Sequence, residues 1–289
     1  MICQFYLTLR CNVECEFCDV WSNPSYQKEE KYQEAPTEKI LIVLENVRER
    51  GVEELHITGG EPLLYEKLGL FLEKAKKIGL KTSLSTNCLL YPDRAEEIKG
   101  LLDTLYFSLD YPFAEEHNRS RGRPLFNKVI KSIETATRLK ENAVIFYTLT
   151  RDSVLYLPEM VEFCDKFNIN CYLNPVYDFS GTQGFEKATL DSIRYFAKRK
   201  NVFIHPAVLE FIKNRGNNIA RPRCRAAETV ITVLPSGRFA SPCFFNQAGR
   251  EGKEDICVSC MRWPYMLPSF AVGFDRYRFL DWLYRRQKK

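Results

Sequence analysis

Through the first two-thirds of the chain, short apolar runs alternate with longer stretches in which apolar residues recur every three to four positions. Ile2–Leu9 reads as a strand that leads straight into a cysteine-containing loop. Ile40, Leu41, Val43, Leu44 and Val47 form a helical stripe within Thr37–Arg50, and Gly51 is its stop. Leu55–Thr58 is the next strand, followed by a helix over Leu68–Ile78 that ends at Gly79. The series continues with strand Lys81–Thr86, helix Asp93–Leu101, strand Thr104–Leu109 and helix Phe126–Leu139. Strand Ala143–Thr150, helix Leu157–Phe167 and strand Ile169–Pro175 follow, and a helix near Leu190–Lys200 closes it. Such regular alternation predicts an α/β fold of right-handed βαβ units on a parallel sheet. Six units fit a partial (β/α)6 barrel, with ligands at the C-terminal ends of the strands. An open, doubly wound sheet satisfies the same pattern, because periodicity does not report curvature.

After about Pro206 the pattern changes. Thr229–Val233 and Phe239–Ala240 flank Pro235-Ser236-Gly237, which reads as a hairpin turn. The expected division is therefore a barrel over 1–205 and a smaller region over 206–289. That region has little apolar pattern of its own, and a bound metal centre would supply the missing stabilisation.

Composition narrows the class. Of the 289 residues, 45% are hydrophobic and 27% charged, an ordinary balance for a globular protein. The net charge is +5 with the basic residues scattered, so nucleic acid is not an expected partner. No apolar run is long enough to cross a membrane, and the start lacks the pattern of a signal peptide, so a cytoplasmic location is expected. Eleven cysteines in a reducing compartment argue against disulfides, and an odd number cannot all pair. They are clustered: Cys11, Cys15 and Cys18 lie together, as do Cys224, Cys243, Cys257 and Cys260, which points to metal.

Cys11 to Cys18 spells CxxxCxΦC directly after the first strand. Three thiolates on a four-iron cubane leave one iron without a protein ligand, where a substrate amine and carboxylate can chelate. A ferredoxin-type carrier would want a fourth cysteine nearby, and none follows until Cys88. Zinc sites favour CxxC pairs, so zinc is the weaker reading here. With Gly59-Gly60-Glu61-Pro62 after the second strand, the chain resembles the radical S-adenosylmethionine (SAM) superfamily. The resemblance continues through Ser85-Thr86-Asn87, Ser108-Leu109-Asp110 and His117 to Gly122, and covers roughly the first 200 residues. A departure is Cys88, where the family usually has glycine after Thr-Asn.

That resemblance implies a partial barrel in which Cys11, Cys15 and Cys18 hold a [4Fe–4S] cluster and the backbone beside Phe17 lies near the SAM adenine. It implies that the Gly59–Pro62 turn, with Gly60 and Glu61, presents carbonyls to the SAM amino group. Thr86, Ser108 and Asp110 would contact its methionine or ribose, and Arg121 its carboxylate. An N-cap or turn role is the plain alternative for Ser108 and Asp110. Cys224, Gly237, Cys243, Cys257 and Cys260 resemble the auxiliary-cluster region of the SPASM and Twitch subfamily, with the shorter Twitch form the better match. Four thiolates would bind a second [4Fe–4S] cluster; a structural zinc is the alternative.

Several expectations about function follow from the resemblance. Flavodoxin or ferredoxin would donate an electron, SAM would be cleaved reductively, and the 5′-deoxyadenosyl radical would take hydrogen from a substrate carbon. Tyr172, Asn174, Tyr177 and Asp178 are candidates for contacting that substrate. The chain starts at the first strand, which tilts the expectation toward a small molecule or lipid over a peptide. A non-enzymatic iron–sulfur carrier is the alternative of another class. Finally, Tyr277, Phe279, Leu280, Leu283 and Tyr284 gather on one side of a helix over Asp275–Arg286, with Arg278, Asp281 and Arg285 opposite. Such a helix suits either packing on the barrel or peripheral contact with a membrane surface.

Overall fold

The computed structural model describes residues 1–23, 25–175, 185–214, 224–241, 243–244 and 262–287. Among them, nine strands form one sheet in the order β7-β6-β5-β4-β3-β2-β1-β8-β9. The first six are β1 (Ile2–Thr8), β2 (Glu54–Gly59), β3 (Lys81–Thr86), β4 (Thr104–Ser108), β5 (Ala143–Leu149) and β6 (Asn170–Pro175). β7 (Val202–Phe203) and β8 (Val230–Val233) extend the sheet at its two sides, and β9 (Phe239–Ala240) lies outside β8. Every pairing is parallel except β8 with β9. From β1 to β7 the spatial order follows the chain without reversal. Right-handed crossovers then lay every helix on the same face of the sheet. This is the winding of a barrel wall, whereas a doubly wound sheet reverses at a switch point.

The helices fall between the strands as their apolar stripes require. α1 (Asp19–Ser22) and α2 (Ser25–Lys28) are single turns beyond the cysteine loop, and α3 (Thr37–Glu49) buries Ile40, Val43, Leu44 and Val47. α4 (Leu68–Lys77) follows β2, and α7 (Phe126–Leu139) and α8 (Leu157–Lys166) follow β4 and β5. The helix expected at Asp93–Leu101 is instead a turn of α5 (Tyr91–Arg94) and a 3-10 turn over Ala95–Ile98. Arg94 is the reason: its guanidinium donates to the carbonyls of Leu63, Tyr65 and Glu66 and to Glu97, tying the segment across to the loop after β2. The closing helix is α9 at Lys187–Phe196, shifted toward the N-terminus from its expected place. α6 (Ala114–Arg121) lies between β4 and α7, and α10 (Pro206–Lys213) follows β7.

Pleating divides the wall into two faces. Phe5, Leu7, Ile57, Leu84, Phe107, Ile145 and Leu173 point outward into the core shared with the helices. The alternate residues, among them Tyr6, His56, Ser83, Ser85, Tyr106, Phe146 and Tyr172, therefore line the concave face. The region after 206 contributes to the same body. β8 pairs with Ile2–Phe5 of β1, and the hairpin to β9 turns at Gly237, whose φ of +78° suits glycine. α11 (Ala226–Thr229), α12 (Trp263–Ser269) and α13 (Arg276–Gln287) follow, with Trp263, Met266 and Phe270 in the main core.

The face expected on α13 is divided in the structure. Tyr277, Leu280, Asp281 and Tyr284, spaced i, i+3, i+4 and i+7, turn toward α10 and α12. Asp281 is buried and reaches His205 at 3.1 Å, Tyr277 stacks on Phe270, and Tyr284 lies 4.5 Å from the His205 ring. Phe279 does not share that face: it is 58% exposed and stacked on the exposed Trp282.

Candidate active site

The loops at the C-terminal ends of β1 to β4 are laced to one another by hydrogen bonds. Gly60 N–H donates to Thr8 O at 2.9 Å and Glu61 N–H to Arg10 O at 2.8 Å, so the turn after β2 lies directly on the end of β1. A Cβ at Gly59 would sit 2.0 Å from Thr8 O, and one at Gly60 2.1 Å from Arg10 O. Only glycine fits there. The Glu61 side chain is buried beneath that turn and accepts from Leu63 N–H, Thr86 O–H and Asn87 N–H at 3.0, 2.8 and 2.8 Å. Burial raises its carboxyl to about 7 against the pull of those donors. Asn87 in turn donates to Asn12 Oδ1 at 2.7 Å, joining the end of β3 to the cysteine loop.

The other side of the cysteine loop is fixed by α6. Glu14 N–H and Glu16 N–H donate to Arg121 O and Ser120 O, and Trp21 donates to Cys15 O at 2.9 Å. Gly122, at φ +67°, lets Glu14 O pass at a distance that a Cβ would close to 2.9 Å. Arg121 is buried with its fork on Asp110, one bond of which is 2.8 Å from Nη2 to Oδ1. Its Nη1 lies 3.5 Å from Cys15 Sγ, and its guanidinium lies over the Phe17 ring at 5.3 Å. Asp110 N–H donates to His117 Nδ1, which leaves the proton on Nε2. Among the described residues that buried Nε2 has no partner, and burial lowers the His117 pKa to about 4.

The structure thus brings Cys11, Cys15, Cys18, Phe17, Gly59, Gly60, Glu61, Pro62, Thr86, Ser108, Asp110 and Arg121 to one end of the sheet. It also gives several of them internal partners. Thr86 Oγ1 donates to Glu61 and accepts from Cys88 N–H, and both oxygens of Asp110 are held by Arg121.

The profile of the radical SAM superfamily matches residues 5–164, more than half of the chain. This protein belongs to the radical SAM superfamily. It is 28% identical over 281 aligned positions to a probable GTP 3',8-cyclase of Archaeoglobus fulgidus, which covers 86% of this chain and 88% of that protein. A PqqA peptide cyclase of Granulibacter bethesdensis is 24% identical, covering 96% of this chain and 76% of the relative. Streptococcus suis SuiB bound to S-adenosylmethionine shares the fold, with a TM-score of 0.66 at 19% identity over 89% of this chain. This chain spans 65% of the length of SuiB.

Membership makes the chain a radical SAM enzyme and implies a [4Fe–4S] cluster and SAM. The donor set fits such a cluster. Three thiols lie on one loop, Cys15 buried and the others half-buried, and the loop is anchored at both sides. Among the described residues no three His, Cys, Asp or Glu side chains converge as they do on a single metal ion. A cubane holds its thiolates at separate corners, further apart than the ligands of one ion. Burial raises the Cys11 thiol to about 12, and a bound cation would favour its thiolate.

Of the second cysteine set, Cys224 and Cys243 are described; Cys257 and Cys260 lie outside the described residues, as do Tyr177 and Asp178. Cys18, Cys224 and Cys243 pack against one aromatic cluster that includes Tyr6, Tyr26, Tyr32, Phe244 and Tyr265. Sequence reasoning missed His56. It stands on the concave face with Nδ1 2.9 Å from Ser83 Oγ and Nε2 3.2 Å from Ser85 Oγ, and burial lowers its pKa to about 4. Tyr106 packs edge-on against His56, and Phe146 stacks on Tyr172 at 5.7 Å. The period-two alternation of β2 and β3 was the available signal, since it puts His56, Ser83 and Ser85 on the face away from the helices.

Proposed function

We propose that Cys11, Cys15 and Cys18 hold the [4Fe–4S] cluster that binds SAM, and that the enzyme abstracts hydrogen from a substrate on the concave face. The observation that carries this reading is the anchoring of the CxxxCxΦC loop between the turn after β2 and the end of α6. When bound there, the cluster would supply the one-electron reduction that cleaves SAM. The chain's own residues orient and exclude water. Gly59 and Gly60 keep the turn carbonyls within reach of the cluster loop, and Arg121 keeps a positive charge against Cys15. Ser108, Asn174 and the aromatic layer of Tyr106, Phe146 and Tyr172 offer a polar rim over an apolar floor for the substrate.

The substrate in this reading is a small molecule or lipid. The GTP 3',8-cyclase relatives support a small molecule, and the exposed aromatic and arginine residues of α13 support a lipid surface. A peptide is the second reading, favoured by the PqqA peptide cyclase and by the likeness to SuiB. Residues 206–289 serve as a Twitch-like region in which Cys224, Cys243, Cys257 and Cys260 bind a second [4Fe–4S] cluster. Flavodoxin or ferredoxin is the electron donor, in the cytoplasm. Anaerobic incubation with SAM and dithionite tests the central claim: the wild type should release 5′-deoxyadenosine, and the variant with Cys11, Cys15 and Cys18 all changed to Ala should release none. Equal release by both would sink the assignment.

A further inference from the structure

Where the cysteine loop meets α6, a cavity of about 320 Å³ opens between Glu16 of the loop, Tyr111 after β4, α6 and the turn after β5. Its size lies in the range of small-ligand sites. None of Cys11, Cys15, Cys18, Gly59, Gly60 or Arg121 lines it. Three carboxylates do: Glu16, Glu116 of α6, and Asp152. Among the described residues none of the three side chains has an ion-pair or hydrogen-bond partner, and Asp152, at the N-cap of the 3-10 turn over Ser153–Tyr156, makes no cap bond. Arg119 is the single cation among the lining residues, and it is exposed. The rings of Tyr111 and Tyr156 meet edge to face at 5.4 Å and wall one side. Burial raises the Tyr111 pKa, a hydrogen bond with Thr150 opposes the rise, and the charges of Glu16 and Asp152 add to it, which places both carboxylates near that ring.

Ser120 also lines the cavity, one turn after Glu116 on the same face of α6. It is 2% exposed, and among the described residues its hydroxyl has no hydrogen-bond partner. A helical serine can satisfy itself on the carbonyl four residues back. Ser132 does so on Lys128 O at 2.7 Å, and Ser269 on Tyr265 O at 2.8 Å. Ser120 does not, so a buried hydroxyl is left for whatever fills the cavity.

We infer that this cavity binds an alkylammonium group, carried by a small amine or by a lysine side chain. An ammonium brings three N–H donors and no acceptor, which suits carboxylate oxygens and a serine oxygen that all lack a donor. Three carboxylates against one guanidinium leave a formal charge of −2 among the lining residues. The faces of the tyrosines add attraction for a cation held over them. A bare metal ion fits less well, because among the described residues no three His, Cys, Asp or Glu side chains converge as metal ligands do. An organic cation spans carboxylates that stand further apart. Since Glu16 sits between Cys15 and Phe17, a molecule anchored here by its ammonium end is held next to the cysteine loop.

Saturation-transfer nuclear magnetic resonance on the anaerobically reconstituted full chain tests the assignment. Cadaverine and Nα-acetyl-lysine amide are the probes, and Nα-acetyl-norleucine amide is the neutral control. At constant ionic strength the amines should bind saturably and the control should not. Tighter binding of cadaverine points to a free amine as the natural ligand, and tighter binding of the lysine amide to a lysine side chain. Glu116→Gln and Asp152→Asn should each weaken binding about two- to fivefold. Ser120→Ala, which changes no charge, should weaken it about two- to tenfold. A wild type that binds neither amine saturably would overturn the inference. So would unchanged affinity in Ser120→Ala, which leaves only an acidic surface with water on the hydroxyl. Displacement of the amine by Mg²⁺ at matched ionic strength would make this an inorganic-cation site, and displacement by SAM would make it an arm of the SAM site; either result overturns the inference as well.

Discussion

Replacing Arg121 by Ala removes a cation that the structure holds in an almost dry place. The side chains of Arg121 and Asp110 are 8% and 1% exposed, and the guanidinium fork spans both carboxylate oxygens. Burial works against the charge on Arg121, but Asp110 and Cys15 more than offset it, so its pKa is raised. Arg121→Ala would leave the Asp110 carboxylate buried and unpaired, a change that costs about 3–5 kcal/mol. Asp110→Ala should cost a similar amount by stranding the guanidinium. The double variant should cost less than the sum, because neither charge is left alone, with a coupling of roughly 0.5–3 kcal/mol. Urea unfolding of the metal-free chain, followed by far-ultraviolet circular dichroism, gives all three values. Arg121→Lys should fall between wild type and Arg121→Ala, since an ammonium keeps the charge without the fork. A loss below about 1 kcal/mol for Arg121→Ala, the figure for an exposed pair, would refute the reasoning.

Three further outcomes are expected. Gly60→Ala places a Cβ 2.1 Å from Arg10 O, so the turn after β2 must lift from β1; iron uptake by the three-cysteine site should drop severalfold, and normal uptake would show that the crossing is not needed. His56 has a folded pKa of about 4 against an ordinary 6.5, so stability present above pH 6.5 is lost as pH falls toward 4, by up to about 3 kcal/mol. His117 acts in the same window; His56→Gln should therefore lessen the acid slope without abolishing it, and an unchanged slope would count against burial of a neutral His56. The full chain should sediment with anionic vesicles in a salt-sensitive manner, and changing Phe279 and Trp282 to Ser should release it; wild type that stays in the supernatant removes the support for a lipid surface.

Much of this architecture was legible in the residue pattern, and the exceptions have local causes. The strand and helix series and the glycine stops at Gly51 and Gly79 follow from periodicity and turn chemistry, which act within a few residues. The cysteine and glycine motifs marked the right end of the sheet because their order along the chain matches the order of the strands. What the pattern could not show were partners chosen across the fold. Nothing near Glu61 announces that its carboxylate ties two strands, and nothing near Arg94 that it would unwind a helix to reach carbonyls after β2. The expected apolar side of α13 included Phe279, but an inward Asp281 paired with His205 turns the helix so that Phe279 faces out. β8 was legible as half of a hairpin; its place beside β1 depends on a pairing more than two hundred residues away in sequence.

That distant pairing bears on how the chain is made. Synthesis runs from the N-terminus, so β1 emerges before β2, and β8 follows it by more than two hundred residues. Until then β1 can pair with β2 on one side, while the backbone donors and acceptors of Ile2–Phe5 on the other side have no ladder. A bare strand edge of apolar residues is a template for unwanted pairing with another chain. Nascent or truncated forms that stop short of Val230 should therefore need chaperone cover, whereas those that include Val233 close the edge with their own residues. The cysteine loop, by contrast, has all of its described anchors once Gly122 has left the ribosome, so its thiols can be arranged for iron well before the barrel wall is sealed.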